Sequence, residues 1–243
     1  MAAPTLVLLH GVGLDHTVWE SVIDRLPRGI RIITPDLPGH GGRESAADPV
    51  TLADLADIVA REIPVDSHLV GFSLGALIAQ YLAVYRPELV VSLTSVSSVC
   101  RRTPAERAAV LDRLQAAIAD FQGSVVASLS RWFDGTDVEP GQIERTRATL
   151  LANDPQSFVH CYRVFATADA DISPQLRNIT APSLAVTGAC DTGSTPEMTR
   201  RLASAIPACE AVVIPGARHM LPIERPGELV DCLSTFVGRY THV

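Results

Sequence analysis

Three residues of this chain combine into a chemistry. Ser73 stands in "GFSLG", a serine framed as G-x-S-x-G, Asp191 in "VTGACDTGSTP", and His219 directly after "EAVVIPGAR". A serine hydroxyl is a weak nucleophile until a base takes its proton. An imidazole can act as that base when an acid fixes its tautomer and stabilises the imidazolium. Together the three would attack a carbonyl carbon, form an acyl-serine and release it with water. The bland alternatives are a glycine-framed turn at Ser73, a turn or capping aspartate at 191 and a solvated loop histidine at 219.

The elements around these residues decide between the readings. "TLVLLH" (5–10), "IRIIT" (30–34), "HLVGF" (68–72), "VVSLTSV" (90–96), "SLAVTG" (183–188) and "EAVVI" (210–214) are short apolar runs. Such near-continuous runs suit parallel strands covered on both faces. Helical patterns fall between them at about 17–26, 51–62, 74–86, 196–206 and 226–240, with Pro87 after one and Pro196 and Pro226 opening two others. The alternation predicts an α/β fold, a doubly wound, mainly parallel sheet with helices on both faces. Ser73 then sits on a sharp strand-to-helix turn that needs small neighbours and exposes Oγ above the sheet edge. On such a turn the partners follow in the order Ser, Asp or Glu, His. That order leaves His160, within a helical stretch, His242, near the C-terminus, and His219, just past the last strand. Asp169 and Asp171 compete with Asp191 but precede the strand that Asp191 follows. Two backbone N–H groups would hold the developing oxyanion: Val12, in the H-G-x-G of "LLHGVG", and Leu74, which opens the helix after Ser73. His10 is expected to brace that loop, and Asp36 and His40 in "PDLPGHGGRES" to be structural.

Strand signals stop between 101 and 172. "TPAERAAVLDRLQAAIADF" begins with Thr103 as N-cap, Pro104 at N1 and Glu106 at N3, a capping-box pattern. The expected organisation is a core of residues 1–100 and 173–243 with a helical cap, 101–172, over the site. Trp132 and Arg131 in "SRWFDG" are its candidate pocket residues: the indole as a wall or as cap core, the guanidinium as a partner for a substrate carboxylate or as a solvated surface group.

Composition narrows the classes. The 243 residues are 47% hydrophobic and carry a formal charge of −7, which gives no electrostatic reason to expect nucleic acid or an anionic membrane as partner. No apolar run approaches the ~20 residues of a membrane span, and the start lacks the basic region of a signal peptide. Five cysteines, at 100, 161, 190, 209 and 232, form no C-x-x-C pair and suit a reducing cytoplasm. Metal-ligand spacing such as H-E-x-x-H is absent, so neither metal nor cofactor is expected.

"LLHGVG", "DLPGHG", "GFSLG", "GACDTGSTP" and "PGARHMLPIERP" occur in an order that resembles the α/β-hydrolase superfamily over nearly the whole chain. The resemblance implies a cofactor-free serine hydrolase with Ser73 as nucleophile, His219 as base and Asp191 as acid. "GLDHTVWESV", "SRWFDG" and "LLANDPQSFVHCYRVFA" are most similar to bacterial 3-oxoadipate enol-lactonases, which implies a small carboxylated enol-lactone as substrate. "HGVGLDHTVW" and "VGFSLGALIAQYLAVYRPE" also resemble pimeloyl-carrier-protein methyl esterases. That family usually meets its acidic carrier with a basic cap, whereas residues 101–172 hold eight Arg against ten Asp and Glu. Hydrolysis of a carbon–carbon bond or an amide, ligand reception on a hydrolase scaffold and haloperoxidase-like chemistry stay open. Family members usually begin with an antiparallel hairpin. Here the first strand starts at residue 5, so the sheet is expected to be shorter at that edge, and the oligomeric state is open.

Overall fold

The structure is a computed structural model that describes residues 3–46 and 48–240. Six strands form one sheet: β1 (Thr5–Leu9), β2 (Arg31–Ile33), β3 (Ser67–Phe72), β4 (Val90–Val96), β5 (Ser183–Gly188) and β6 (Cys209–Ile214), in the order β2-β1-β3-β4-β5-β6. Every pairing is parallel. The apolar runs explain the arrangement. β3 and β5 are buried at every position and lie inside the sheet, while β2 and β6, with partly exposed residues, form its edges. No antiparallel strand lies beside β2 among the described residues. That edge is three residues long and exposes Arg31, a short and charged edge that discourages pairing with another chain.

Helices join the strands. After β1 the stretch expected as one helix over 17–26 divides into a 3-10 turn at His16–Trp19 and α1 (Glu20–Ile23). Asp15 takes the Thr17 N–H at 3.0 Å and fixes the tighter first turn. α2 (Leu52–Ala60) and α3 (Leu74–Tyr85) pack on each other, and α3 lies against β3 and β4. Nine of the twelve residues of α3 are buried, so the helix behind Ser73 is apolar nearly all round, as a core helix must be.

Between β4 and β5 the described residues hold no strand. They form α4 (Pro104–Ala119), α5 (Phe121–Phe133), α6 (Pro140–Leu151), α7 (Pro155–Thr167) and α8 (Asp169–Ile172), followed by a 3-10 segment at Ser173–Asn178. Local capping sets three of these starts. Thr103 and Glu106 close the expected capping box on α4, while Asp120 and Asp154 take backbone N–H groups of α5 and α7. The two ends of the insertion are tied by the buried pair Arg102 Nη1–Asp169 Oδ1 at 2.7 Å. After β5 come α9 (Pro196–Ala205), then β6, α10 (Leu221–Glu224) and α11 (Pro226–Gly238), the last packed on α1. No helix among the described residues is long and apolar enough to cross a membrane, and all five cysteines are free.

Candidate active site

Ser73 is held at φ 54° and ψ −111°, a left-handed conformation that costs a non-glycine residue energy. The framing glycines are steric necessities. A Cβ on Gly71 would stand 2.2 Å from the Gly75 carbonyl oxygen, and one on Gly75 would stand 2.3 Å from that of Leu9. The turn is pinned by Ser73 N–H to the Val96 carbonyl (2.9 Å) and Gly75 N–H to the His10 carbonyl (3.1 Å). Strand, elbow and helix thus share neighbours on β1 and β4, which over-determines the strained residue.

The β1 loop meets the elbow. A Cβ on Gly11 would lie 3.1 Å from the Ser73 Cβ, so the chain there runs directly beside the serine. Two neutral histidines brace this loop. His10 Nδ1 donates to the Gly11 carbonyl (2.8 Å) while Nε2 accepts the Leu37 N–H (2.9 Å). His40 Nδ1 donates to the Pro38 carbonyl (2.9 Å) while Nε2 accepts the Gly13 N–H (2.8 Å). Burial and then the neighbouring His40 push His10 down to about 3, and burial also lowers His40. Asp36 accepts from the His16 backbone and ring. These three residues are bracing groups, as expected of them. The N–H groups of Val12 and Leu74 have no acceptor within the chain among the described residues. Leu74 opens α3, where an unsatisfied N–H lies at the positive end of the helix.

His219 follows β6, and its Nδ1–H donates to Asp191 Oδ2 at 2.7 Å. The other carboxylate oxygen accepts from Gly193 N–H (2.8 Å) and Ser194 N–H (2.9 Å) in the loop after β5. Asp191 is thereby fixed by its own turn, and His219 keeps Nε2 free as an acceptor. The His219 carbonyl receives the Ser97 hydroxyl (3.0 Å), which seats the loop on the end of β4. Ser73, Asp191 and His219 line one cavity of about 40 Å³ together with Val12. No hydrogen bond joins Ser73 Oγ to His219 in this arrangement; hydrogen bonds at such sites often tighten only when substrate is present.

The competing residues go elsewhere. Asp169 is wholly buried against Arg102, Asp171 is exposed, and His160 lies 3.6 Å from Asp48, away from the serine. His242 lies outside the described residues. Trp132 stacks on His219 with ring centroids 5.8 Å apart and planes at 23°, so the indole walls the site. Arg131 lines the same cavity, its guanidinium 5.8 Å from the Trp132 ring and held by Ser128 Oγ.

Other contributors carry no sequence signal of their own. Arg113 and Arg218 also line the cavity. Glu224 accepts the Arg218 N–H at 2.7 Å beneath the His219 loop, and burial raises its carboxyl above the usual range. Asn153 donates to the Gly13 carbonyl (2.8 Å) and ties the insertion to the β1 loop. Among the described residues no group of three or more His, Cys, Asp or Glu side chains could hold a metal ion.

With this geometry in place, the chain can be compared with known proteins. Residues 6–232 match the model of an alpha/beta hydrolase family. The protein is an α/β-hydrolase. A curated relative, the (E)-2-((N-methylformamido)methylene)succinate hydrolase of Acinetobacter baylyi, is 31% identical over 238 residues, 96% of this chain and 89% of that one. The pimeloyl-[acyl-carrier protein] methyl ester esterase of Edwardsiella ictaluri is 33% identical over 239 residues, 95% and 92% of the two chains. Among solved structures, the enol-lactonase from Burkholderia xenovorans superposes with a TM-score of 0.87 at 24% identity, covering 97% of this chain and 92% of that one, a likeness of fold. This α/β-hydrolase is therefore an enzyme with named hydrolase and esterase relatives.

Proposed function

We propose that this α/β-hydrolase cleaves a small carboxylic ester or lactone bearing a carboxylate, with a 3-oxoadipate-type enol-lactone as the first candidate. The observation that carries the reading is the cavity. It joins Ser73 and His219, and its wall sets Trp132 on the imidazole with Arg131 beside it. Arg131 offers a carboxylate two parallel N–H donors.

In this reading Ser73 Oγ attacks the carbonyl carbon as His219 Nε2 takes its proton. The negative charge on the carbonyl oxygen is held by the Val12 and Leu74 N–H groups. The C–O bond to the ring oxygen breaks, and the imidazolium returns the proton to the leaving enolate, which becomes a ketone. Water then gives a proton to Nε2 and attacks the acyl-serine. The acid leaves as Ser73 recovers its proton. Asp191 holds Nδ1–H throughout. The helices between β4 and β5 act as the cap that excludes bulk water. Free cysteines support a cytoplasmic setting.

A second reading, a pimeloyl-type methyl esterase, is favoured by the 33% identical relative. An activated amide is favoured by the Acinetobacter one. A side-by-side panel of carboxylated enol-lactone, pimeloyl-type methyl ester, vinylogous diketone and p-nitrophenyl esters separates them. The enol-lactone is expected to give the highest kcat/KM; a preference of about tenfold or more for another member moves the enzyme to that subfamily.

A further inference from the structure

Three guanidinium groups line the cavity: Arg113 from α4, Arg131 from α5 and Arg218 from the loop after β6. None has a carboxylate within ion-pair distance among the described residues, whereas Arg102 and Arg107 at the foot of the same insertion both reach Asp169. The wall holds one acid, Asp191. Its side chain is 1% exposed and engaged by His219, Gly193 and Ser194. The lining therefore carries three positive groups and one committed negative one, in a chain whose formal charge is −7. The cavity opposes the charge of the molecule around it.

Two of the three arginines are also held in place. Arg218 Nη1 donates to the Arg131 carbonyl (3.1 Å), Glu224 holds the Arg218 backbone, and Arg131 leans on Ser128. Burial and the nearby Arg113 both act against the charge on Arg131 and lower its pKa. An arrangement that crowds cations away from water is stabilised by an anion that satisfies their donors.

We propose that the substrate is a dianion carrying two carboxylates, one taken by Arg113 and Arg131 of the helical insertion and the other by Arg218 beside His219. The proposal rests on the hydrolase reading of Ser73 and His219, and it replaces the monocarboxylate enol-lactone as first candidate with an ester or lactone that carries a second carboxylate. The arginines come from two parts of the fold, the insertion and the core loop that carries the base, and a single carboxylate would leave part of this positive charge without a partner. A substrate held at both would also bridge those parts around the scissile carbonyl.

The test is calorimetric binding of succinate, adipate, their monomethyl esters and methyl phosphate to the whole wild-type protein, at fixed ionic strength. Each dicarboxylate is expected to bind at least about tenfold more tightly than its monomethyl ester. Arg218→Gln and, separately, Arg113→Gln should shrink that ratio toward one. Equal affinities, no dicarboxylate binding, or tighter binding of methyl phosphate than of either diacid in the wild type would overturn the proposal, and so would a full ratio in both folded variants. Turnover of p-nitrophenyl acetate is measured in parallel. A protein that prefers diacids yet shows no turnover leaves the dianion site standing and overturns the hydrolytic assignment; turnover without diacid preference does the reverse.

Discussion

Asp191 and Asp169 are both buried aspartates, and each meets a nitrogen of a basic side chain at 2.7 Å. Both also accept backbone N–H groups, Asp191 from Gly193 and Ser194, Asp169 from Arg102. Their partners differ. His219 is partly exposed at 12%, lines the cavity and carries a second ring nitrogen that can accept a proton from a neighbouring hydroxyl. Arg102 is 1% exposed, also donates to the Phe165 and Ala166 carbonyls, and carries a charge that does not titrate at any pH the protein meets. Burial and tight pairing are therefore shared by a candidate catalytic acid and a structural clamp. What separates them is whether the partner can exchange a proton and reaches open space.

Exchanging each carboxylate for its amide breaks or sharpens this contrast. Asp191→Asn should lower kcat/KM by roughly 10⁴-fold, because the amide no longer selects the Nδ1–H tautomer. Its melting temperature should barely move, since Oδ1 still accepts from Gly193 and Ser194. Asp169→Asn should do the opposite. It leaves the Arg102 charge buried without a counter-charge, at a cost of about 3–5 kcal/mol in urea unfolding. An inactive, fully stable Asp169→Asn protein would reverse the two roles.

A smaller effect concerns the bracing histidines. His10 is depressed to about 3 and His40 is also lowered. The folded protein keeps both neutral, while the unfolded chain takes up protons near the ordinary value of ~6.5. Stability from this source is complete above that value and is lost as pH falls toward 3. Between pH 7 and pH 5, His10 alone should contribute a loss of roughly 2 kcal/mol. His10→Asn should flatten that slope in urea titrations at the two pH values; an unchanged slope would mean that His10 is not kept neutral. The smallest effect is that of Trp132→Ala, which should raise KM about tenfold for the preferred substrate by removing the wall over His219. A collapse of the melting temperature with unchanged kinetic constants would make the indole a packing residue of the insertion.

Much of this was legible in the chain because it is local. "HLVGF" and "SLAVTG" are apolar at every step and became strands buried throughout. The elbow was readable because only glycine fits at 71 and 75. Thr103, Pro104 and Glu106 carry their cap within four residues. Ser73, Asp191 and His219 each follow a strand of a parallel sheet, so the topology delivers all three to one edge. What escaped reading depends on long-range contacts. The Arg218–Arg131 bond spans 87 residues and the Asn153–Gly13 bond 140. Hydrophobic periodicity says nothing of which loop meets which helix. Arg218 stands directly before His219, yet its neighbours on α4 and α5 are what make it part of the cavity wall. The segment before Leu26 failed for a local reason instead: its apolar spacing fits a helix, but the Asp15 side chain tightens the first turn.

The central claim is that Ser73 forms a covalent acyl intermediate. The most direct measurement is intact-mass and peptide mass spectrometry of the protein after brief acid quenching during turnover of p-nitrophenyl acetate. The account predicts one acetyl group per chain, on the peptide containing Ser73, absent from Ser73→Ala, with kcat in that variant lower by roughly 10⁴–10⁶-fold. An acetyl group on another residue, or a folded Ser73→Ala protein that keeps near wild-type turnover, would contradict it.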